Sequence, residues 1–267
     1  AHFDQSCRMD LLVKDGTIRI TTIAFSSGAS RVTFRAKAVR GRPLGFECNA
    51  ELIVKAVKRE LFAEGMCTCA EEREIQLLCR GFADEFNKKF AIVAQGNEPL
   101  KFYFRLGQRM LSPARVVTYD GTEAFQKDEM VFVEMFVFGK YEKFNSNSGW
   151  CAENGQIPDF FSHWTWVHSG GKHLVCDLQG VKGVPGGESL HGSTSYYLFT
   201  DPVVMSPEGS FGDTDLGSEG IQDWFVNHKC NELCLKYQLS RPALQAAAPR
   251  PVSAFRMYNR LAYKKPY

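Results

Sequence analysis

The sequence predicts an α+β chain, and three observations carry that prediction. Residues 10–57 alternate short apolar runs with glycine turns, as strands do. Residues 70–87 instead repeat apolar side chains at helical spacing. Near the C-terminal end an apolar helix runs into His228-x-Cys230-x3-Cys234, three soft metal ligands within seven residues. At 267 residues there is material for one large domain or for two lobes of ordinary size.

The first strands are Asp10–Val13, Thr17–Phe25 and Ser30–Val39, with turn signals at Asp15-Gly16 and Ser26-Ser27-Gly28. A glycine turn between two strands can cover a nucleotide's phosphates. Glu51–Arg59 follows, alternating so that Ile53, Lys55 and Val57 share a face. A lysine with apolar neighbours either snorkels or is held to meet an anion. The helix Ala70–Asn87 has a stripe of Ile75, Leu78, Cys79, Phe82 and Phe86. Glu71 lies on that stripe, either as a partner for Lys55 or as an exposed acid favoured by the helix dipole. Strands return at Lys101–Phe104, Ala114–Thr118 and Met130–Phe138, and Glu134 interrupts the last of these, where a linker between lobes fits.

After Tyr141 the texture changes. A helix is expected from Pro158 to about Ser169, with Phe160, Phe161, Trp164 and Val167 inward and His163 beside them, ended by Gly170-Gly171. The strand His173–Cys176 runs onto Asp177-Leu178-Gln179-Gly180. A flexible loop, Lys182–Ser195, leads to Tyr196–Thr200 and a second terminal acid, Asp201. Asp177, Gln179 and Asp201 carry oxygen ligands of the type that hold Mg²⁺ against phosphates; turn capping is their other reading. Residues 241–253, rich in Ala and Pro, read as a linker, and Phe255–Tyr267 as a basic, aromatic tail.

A helix places Ile221, Trp224, Phe225 and His228 on one stripe, and a break near Lys229 is expected to start a turn on which Cys230 and Cys234 face the same way. Structural zinc takes four N/S ligands, so the fourth comes from His163, His168, His173 or His191. Two buried free cysteines and a helix-end histidine are the alternative. Cys67-x-Cys69 reads as loop thiols. The glycines Gly212, Gly217 and Gly220 lack the Lys-Ser/Thr of a phosphate-binding P-loop.

A net charge of +2 gives no mandate for nucleic acid or a membrane surface, so any basic patch is local, with Arg31–Arg42 the densest candidate. No apolar run approaches the roughly 20 residues of a membrane helix. Nine cysteines without a regular framework fit reduced thiols and a metal better than disulfides, hence a cytoplasmic, intracellular protein. The chain opens on Ala1 without methionine, so a domain of a longer protein is expected.

From about Phe25 to Cys234 the chain resembles the alpha-kinases, atypical protein kinases. The motifs that carry the resemblance are Glu134–Trp150 (EMFVFGKYEKFNSNSGW), Phe161–Val181 (FSHWTWVHSGGKHLVCDLQGV), Thr200-Asp201-Pro202 and Phe211–Cys234, in family order. Phe25–Arg31 and Val54-Lys55 add weaker local similarity. The resemblance implies a two-lobed, atypical protein-kinase-like α+β fold with a zinc-stabilised C-lobe. Its N-lobe would span 1–134, mostly β with one helix, its C-lobe 135–240, and its linker and tail 241–267.

It further implies an ATP- and Mg²⁺-dependent kinase acting on Ser/Thr of a protein substrate. By position, Lys55 would bind the ATP phosphates, with Gly28 and Arg31 in the covering loop. Glu134 and Phe136 would offer backbone groups to adenine. Asp177 matches the acid that orients the attacking hydroxyl, Gln179 and Asp201 the Mg²⁺ ligands, and His163, His228, Cys230 and Cys234 the structural Zn²⁺ set. The loop carrying Gly212, Asp215, Gly217 and Gly220 resembles the part that meets the peptide. Two departures stand out. The stretch between Asp177 and Asp201 is longer than the family pattern, which bears on where Asp201 sits. Asp215 replaces a usual asparagine, a negative charge that would favour basic residues around the target. A pseudokinase that binds nucleotide or protein without turnover is the rival reading.

Overall fold

The computed structural model describes residues 7–28, 30–63, 71–92, 99–183 and 195–242. Cys67-x-Cys69, His191, most of the 182–195 loop and the tail lie outside the described residues. The chain divides into two compact units, Ala1–Arg73 with Leu106–Phe136, and Glu74–Arg105 with Val137–Tyr267.

In the first unit β1 (Arg8–Val13), β2 (Gly16–Ser27), β3 (Arg31–Gly41) and β4 (Glu51–Val57) are followed by the short helix α1 (Arg59–Ala63). After the excursion through the second unit come β6 (Gln108–Leu111), β7 (Val116–Val117), β8 (Glu123–Phe125) and β9 (Met130–Met135). Six of these form an antiparallel sheet in the order β1-β2-β3-β4-β9-β6. The two-residue period sorts its faces. Phe34, Ala36 and Ala38 of β3, Leu52, Val54 and Ala56 of β4, and Val131 and Val133 of β9 point into one core with Phe125 and Val116. The opposite face carries Arg31, Thr33, Arg35, Ile53, Lys55, Val57, Phe132 and Glu134. The strand expected over Ala114–Thr118 shrinks to Val116–Val117, and that over Met130–Phe138 stops at Met135.

The second unit begins within α2 (Glu72–Lys89) and continues through β5 (Leu100–Phe104). After it come β10 (Tyr141–Lys143), α3 (Gln156–His168), β11 (Leu174–Cys176) and β12 (Gln179–Gly183). The unit closes with β13 (Ser195–Thr200), β14 (Val203–Met205), α4 (Gly217–Asn227) and α5 (Glu232–Lys236). β10, β12, β13 and β5 form a four-stranded sheet in which β13 and β5 run parallel.

The sequence expectation that all of 1–134 forms one lobe is corrected here. Residues 74–105 belong to the second unit because the stripe of α2 is buried there. Ile75, Cys79, Phe82 and Phe86 share a core with Phe102, Phe160, Phe161 and Trp164. Phe86 alone lies 4.9 Å from the Phe102 ring and 5.2 Å from that of Trp164. Such aromatic pairs add roughly 0.5–1.5 kcal/mol each to their burial.

Candidate active site and metal centre

Lys55 sits in the middle of β4, 3% exposed, and its Nζ meets Glu134 Oε1 at 2.5 Å. Register explains the pairing. Lys55 lies opposite Phe132 and Ile53 opposite Glu134, so Lys55 and Glu134 are diagonal neighbours on one face, within reach of a long side chain. Glu134 is itself 0% exposed, and of the two readings of Glu71 the exposed acid holds, the partner of Lys55 being Glu134. Arg31, at the start of β3, forms an ion pair with the buried Glu72 in the first turn of α2. Gly28 lies in the β2–β3 connection and donates its N–H to Arg31 O at 2.9 Å.

The backbone of Glu134 and Phe136, expected to meet adenine, faces β4. Phe136 donates its N–H to Glu51 O at 2.9 Å. Bonded pairs alternate along an antiparallel ladder, so Glu134, two residues back, also turns its backbone toward β4. Met135, between them, directs its N–H and C=O the other way. The Phe136 ring instead lies under the Arg35 guanidinium at 3.7 Å and against the edge of Phe25 at 5.9 Å.

In the second unit Asp177 and Asp201 occupy matched corners. β11 pairs with β14 and β12 with β13, and partner numbers sum to 379 in both ladders (176 + 203, 179 + 200). Two residues on each strand separate the ladders, Asp177 and Leu178 on one side and Asp201 and Pro202 on the other, so both acids sit at the corner between them. Both acids take left-handed backbone angles, φ 57° and 49°, which a non-glycine residue rarely adopts. Both ends of the long 177–201 stretch are paired, from Gln179 with Thr200 to Gly183 with Tyr196, and residues 184–194 lie outside the described residues. Gly180 lets β12 and β13 pair: it has φ 151°, and a Cβ there would sit 2.0 Å from Leu198 O.

β10 lays Lys143 beside Gln179, and its Nζ reaches Asp177 Oδ1 at 2.8 Å. Burial pushes the Asp177 carboxyl above its usual range, Lys143 pulls it down and the nearby Asp201 charge pushes it up. Gln179 Nε2 donates to Asp177 Oδ2 at 3.4 Å. Lys143 was not singled out in the sequence; its place in a three-residue strand gives no periodic signal.

Asp215 corrects another expectation. It is 0% exposed, and its carboxylate accepts from Ser206 N and Oγ, Phe211 N and Gly217 N at 2.6–3.1 Å. Its charge is turned into the 206–217 loop, so the basic-target preference loses its basis. Gly212 and Gly217 take left-handed angles in and after that loop. Gly220 is a packing glycine, since a Cβ would lie 2.3 Å from Leu216 Cβ and 2.8 Å from Met205 Sδ.

His163 of α3, His228 at the end of α4, Cys230 in the connection and Cys234 of α5 bring four ligand atoms within 4.8 Å of one another. α4 ends at Asn227 with His228 as its extended C-cap, close to the expected break near Lys229. Cys230 lies outside α5, whose N-cap Asn231 accepts from Leu233 N and Cys234 N, so the two cysteines do not share a helical turn as expected. His163 Nδ1 and His228 Nε2 are 3.2 Å apart, and each has a Cys Sγ at 3.8 Å. A tetrahedral ion bound at about 2.0–2.1 Å by N and about 2.3 Å by S sets N···N near 3.3 Å and N···S near 3.6 Å.

The outer nitrogens fix the tautomers. His163 Nε2 must donate to Ser240 O at 3.1 Å, and His228 Nδ1 to Asp159 Oδ2 at 2.8 Å. With the outer nitrogens so engaged, the two inner nitrogens face each other and are the ones left to meet a cation. Burial lowers His163 to about 4 and raises Cys234 to about 12. The imidazole is thus held in its ligating form, whereas the thiol needs a metal to deprotonate it. Of the other histidines, His168 meets Glu85 and stacks on Trp164, and His173 packs against Phe82 and Phe211.

Solved alpha-kinase domains have this architecture. The catalytic domain of myosin heavy chain kinase A, in a mutant form, superposes with a TM-score of 0.64 over 88% of this chain and 96% of that one, at 23% identity. The alpha-kinase domain of the same enzyme in complex with ADP gives 0.64 over 85% and 90%, at 22% identity. The fold is accordingly that of an alpha-kinase catalytic domain. This chain belongs to the alpha-kinase family: the family's model matches residues 26–234. Alpha-protein kinase vwkA of Dictyostelium discoideum is 30% identical over 86% of this chain. Eukaryotic elongation factor 2 kinase of Caenorhabditis elegans is 26% identical over 86% of it. The chain spans only 33% and 26% of those two relatives.

Proposed function

We propose that the chain is an ATP- and Mg²⁺-dependent kinase that transfers the γ-phosphate to Ser or Thr of a protein. The observation that carries the reading is the matched pair of strained acids, Asp177 and Asp201, with Lys143 and Gln179 beside the first. Phosphoryl transfer asks for positioning and charge stabilisation more than for covalent chemistry. Two carboxylates whose charges oppose each other, next to an amide oxygen, suit a hard divalent cation. When bound through Gln179 and Asp201, Mg²⁺ would supply charge neutralisation across the transferring phosphates.

The rest falls to the chain's own side chains. Lys55, aimed by Glu134, binds phosphate oxygens, and Arg31, steadied by Glu72, assists from the β2–β3 connection that includes Gly28. The outward backbone of Met135 meets adenine in place of Glu134 and Phe136. Asp177 orients the substrate hydroxyl and takes its proton as the new O–P bond forms and the bond to the leaving ADP oxygen breaks. Burial raises the basicity of Asp177, which suits that step. Lys143 compensates the Asp177 charge. The 212–220 loop, including Gly212 and Gly217, is assigned to the peptide.

His163, His228, Cys230 and Cys234 would hold Zn²⁺ in a closed site, which serves folding and does no chemistry. Relatives named as kinases of myosin heavy chain and elongation factor 2 support a protein substrate and a cytoplasmic setting. The greater length of the relatives supports a catalytic domain within a larger protein. Incubation with γ-labelled ATP and Mg²⁺, followed by phosphoamino-acid analysis of a panel of protein substrates, tests the reading. Phosphoserine or phosphothreonine is expected. ATP binding without transfer by zinc-replete protein would instead establish a pseudokinase.

A further inference from the structure

One buried hydrogen-bond chain joins the metal cluster to the corner that carries Asp177. It starts at His228, whose Nδ1 meets Asp159 Oδ2 at 2.8 Å. The other carboxylate oxygen of Asp159 accepts from Asn145 Nδ2 at 3.1 Å. Asn145 Nδ2 also donates to Ser162 Oγ at 2.9 Å, and its Oδ1 accepts the N–H of Leu178 at 2.9 Å. Leu178 O in turn accepts from Phe144 N at 2.8 Å and Asn145 N at 3.3 Å. His228, Asp159, Asn145 and Leu178 are each at most 2% exposed.

The chemistry of each link is specific. Asn145 uses both amide hydrogens and its carbonyl, so its amide is read from three sides. Aspartate at the same place would set one carboxylate against another, and a hydrocarbon would leave Asp159 and the Leu178 N–H without this partner. Leu178 lies between Asp177 and Gln179, at a bend where the left-handed angle of Asp177 must be imposed by its surroundings. An asparagine that pins the next peptide supplies that constraint, and the same asparagine steadies the carboxylate that orients a metal ligand.

We infer that Asn145 is a positioning residue through which the metal cluster and the Asp177–Gln179 corner hold each other in place. Metal binding then tightens the corner, and by reciprocity a loosened corner weakens metal binding, although Asn145 touches neither the ligand atoms nor the reacting groups. The activity arm of this inference rests on the phosphotransfer reading above; its other two arms do not.

The test compares zinc-loaded wild type with Asn145→Asp, which keeps an acceptor for Leu178 but repels Asp159. Three quantities are read: zinc retention against a competing chelator, amide hydrogen exchange of the peptide containing Leu178, and steady-state kinetics. Loss of a partner behind a metal ligand typically weakens metal binding 10–100-fold. We expect zinc retention to fall by about 10-fold or more and Leu178 exchange to quicken. We also expect kcat to drop by about 10-fold while the ATP KM stays within about twofold. Folded Asn145→Asp with wild-type zinc retention, or with wild-type exchange at Leu178, overturns the inference. If that variant does not fold, Ser162→Ala, which removes the acceptor of one Asn145 amide hydrogen and a donor to Pro158 O, decides the matter. Smaller parallel changes in zinc retention and exchange support the coupling; no change, or a change in only one, overturns it. A wild type that binds zinc but transfers no phosphate would refute the phosphotransfer reading alone, with exchange and zinc retention still deciding the coupling.

Discussion

Replacing Glu134 by alanine removes the carboxylate that Lys55 meets inside the sheet. Both side chains are nearly inaccessible, at 4% and 0%, so water cannot take over the role of the lost oxygen at 2.5 Å. Breaking a buried pair by removing one partner costs about 3–5 kcal/mol, because the other charge stays in a poor solvent. At roughly 2–4 °C per kcal/mol for a chain of this size, thermal unfolding of Glu134→Ala should begin about 10 °C early. Replacing both partners by apolar residues of similar volume, Lys55→Met with Glu134→Leu, removes the charge together with its partner. That double variant should recover most of the lost stability while failing to bind ATP. Differential scanning fluorimetry and nucleotide titration on Lys55→Met, Glu134→Leu and the double variant make a complete cycle, with Glu134→Ala measured beside it. A Glu134→Ala protein that melts with wild type, or a double variant less stable than either single one, would refute the reasoning.

Three further outcomes follow from the same structure. Asp177→Asn should abolish transfer without lowering the melting temperature. The folded-state pKa of this acid lies above its unfolded value, so its ionisation works against folding, and the variant's relative gain should grow as pH rises through that folded pKa; a variant destabilised increasingly with pH would contradict this. Stripping the metal with a strong chelator should unfold the second unit, with a loss of roughly 10 kcal/mol or more, seen as collapse of the thermal transition with release of one zinc per chain. Asp215→Asn should leave peptide preference unchanged on a substrate array and cost about 1–3 kcal/mol of stability, since an amide cannot accept from all four of the present donors.

Periodicity and ligand chemistry made part of this legible in the sequence. The α2 stripe and the strand faces around Lys55 repeat with the period of their element and stand where expected, and Asp177 and Asp201 follow directly on β11 and β13. The four candidate metal ligands gather as the family resemblance implied, whereas ligand chemistry and spacing by themselves left His163, His168, His173 and His191 open as the fourth. Properties set by long-range register were not legible. Lys55 finds Glu134 only through the diagonal of the β4–β9 ladder, 79 residues apart. β10, β11 and β14 are three residues each, too short for a period, so Lys143 passed unmarked. Asn145 and Asp159 are polar residues whose meaning depends on what meets them in the core. The assignment of residues 74–105 to the second unit likewise depends on which aromatic surface receives the α2 stripe.

The most direct test of the central claim measures ATP binding and γ-phosphate transfer in parallel for wild type, Lys55→Ala and Asp177→Ala, each confirmed folded and zinc-replete. The account predicts that Lys55→Ala loses both, whereas Asp177→Ala binds ATP and transfers nothing, separating the residue that holds the nucleotide from the one that orients the hydroxyl. Transfer by Asp177→Ala at the wild-type rate would contradict it.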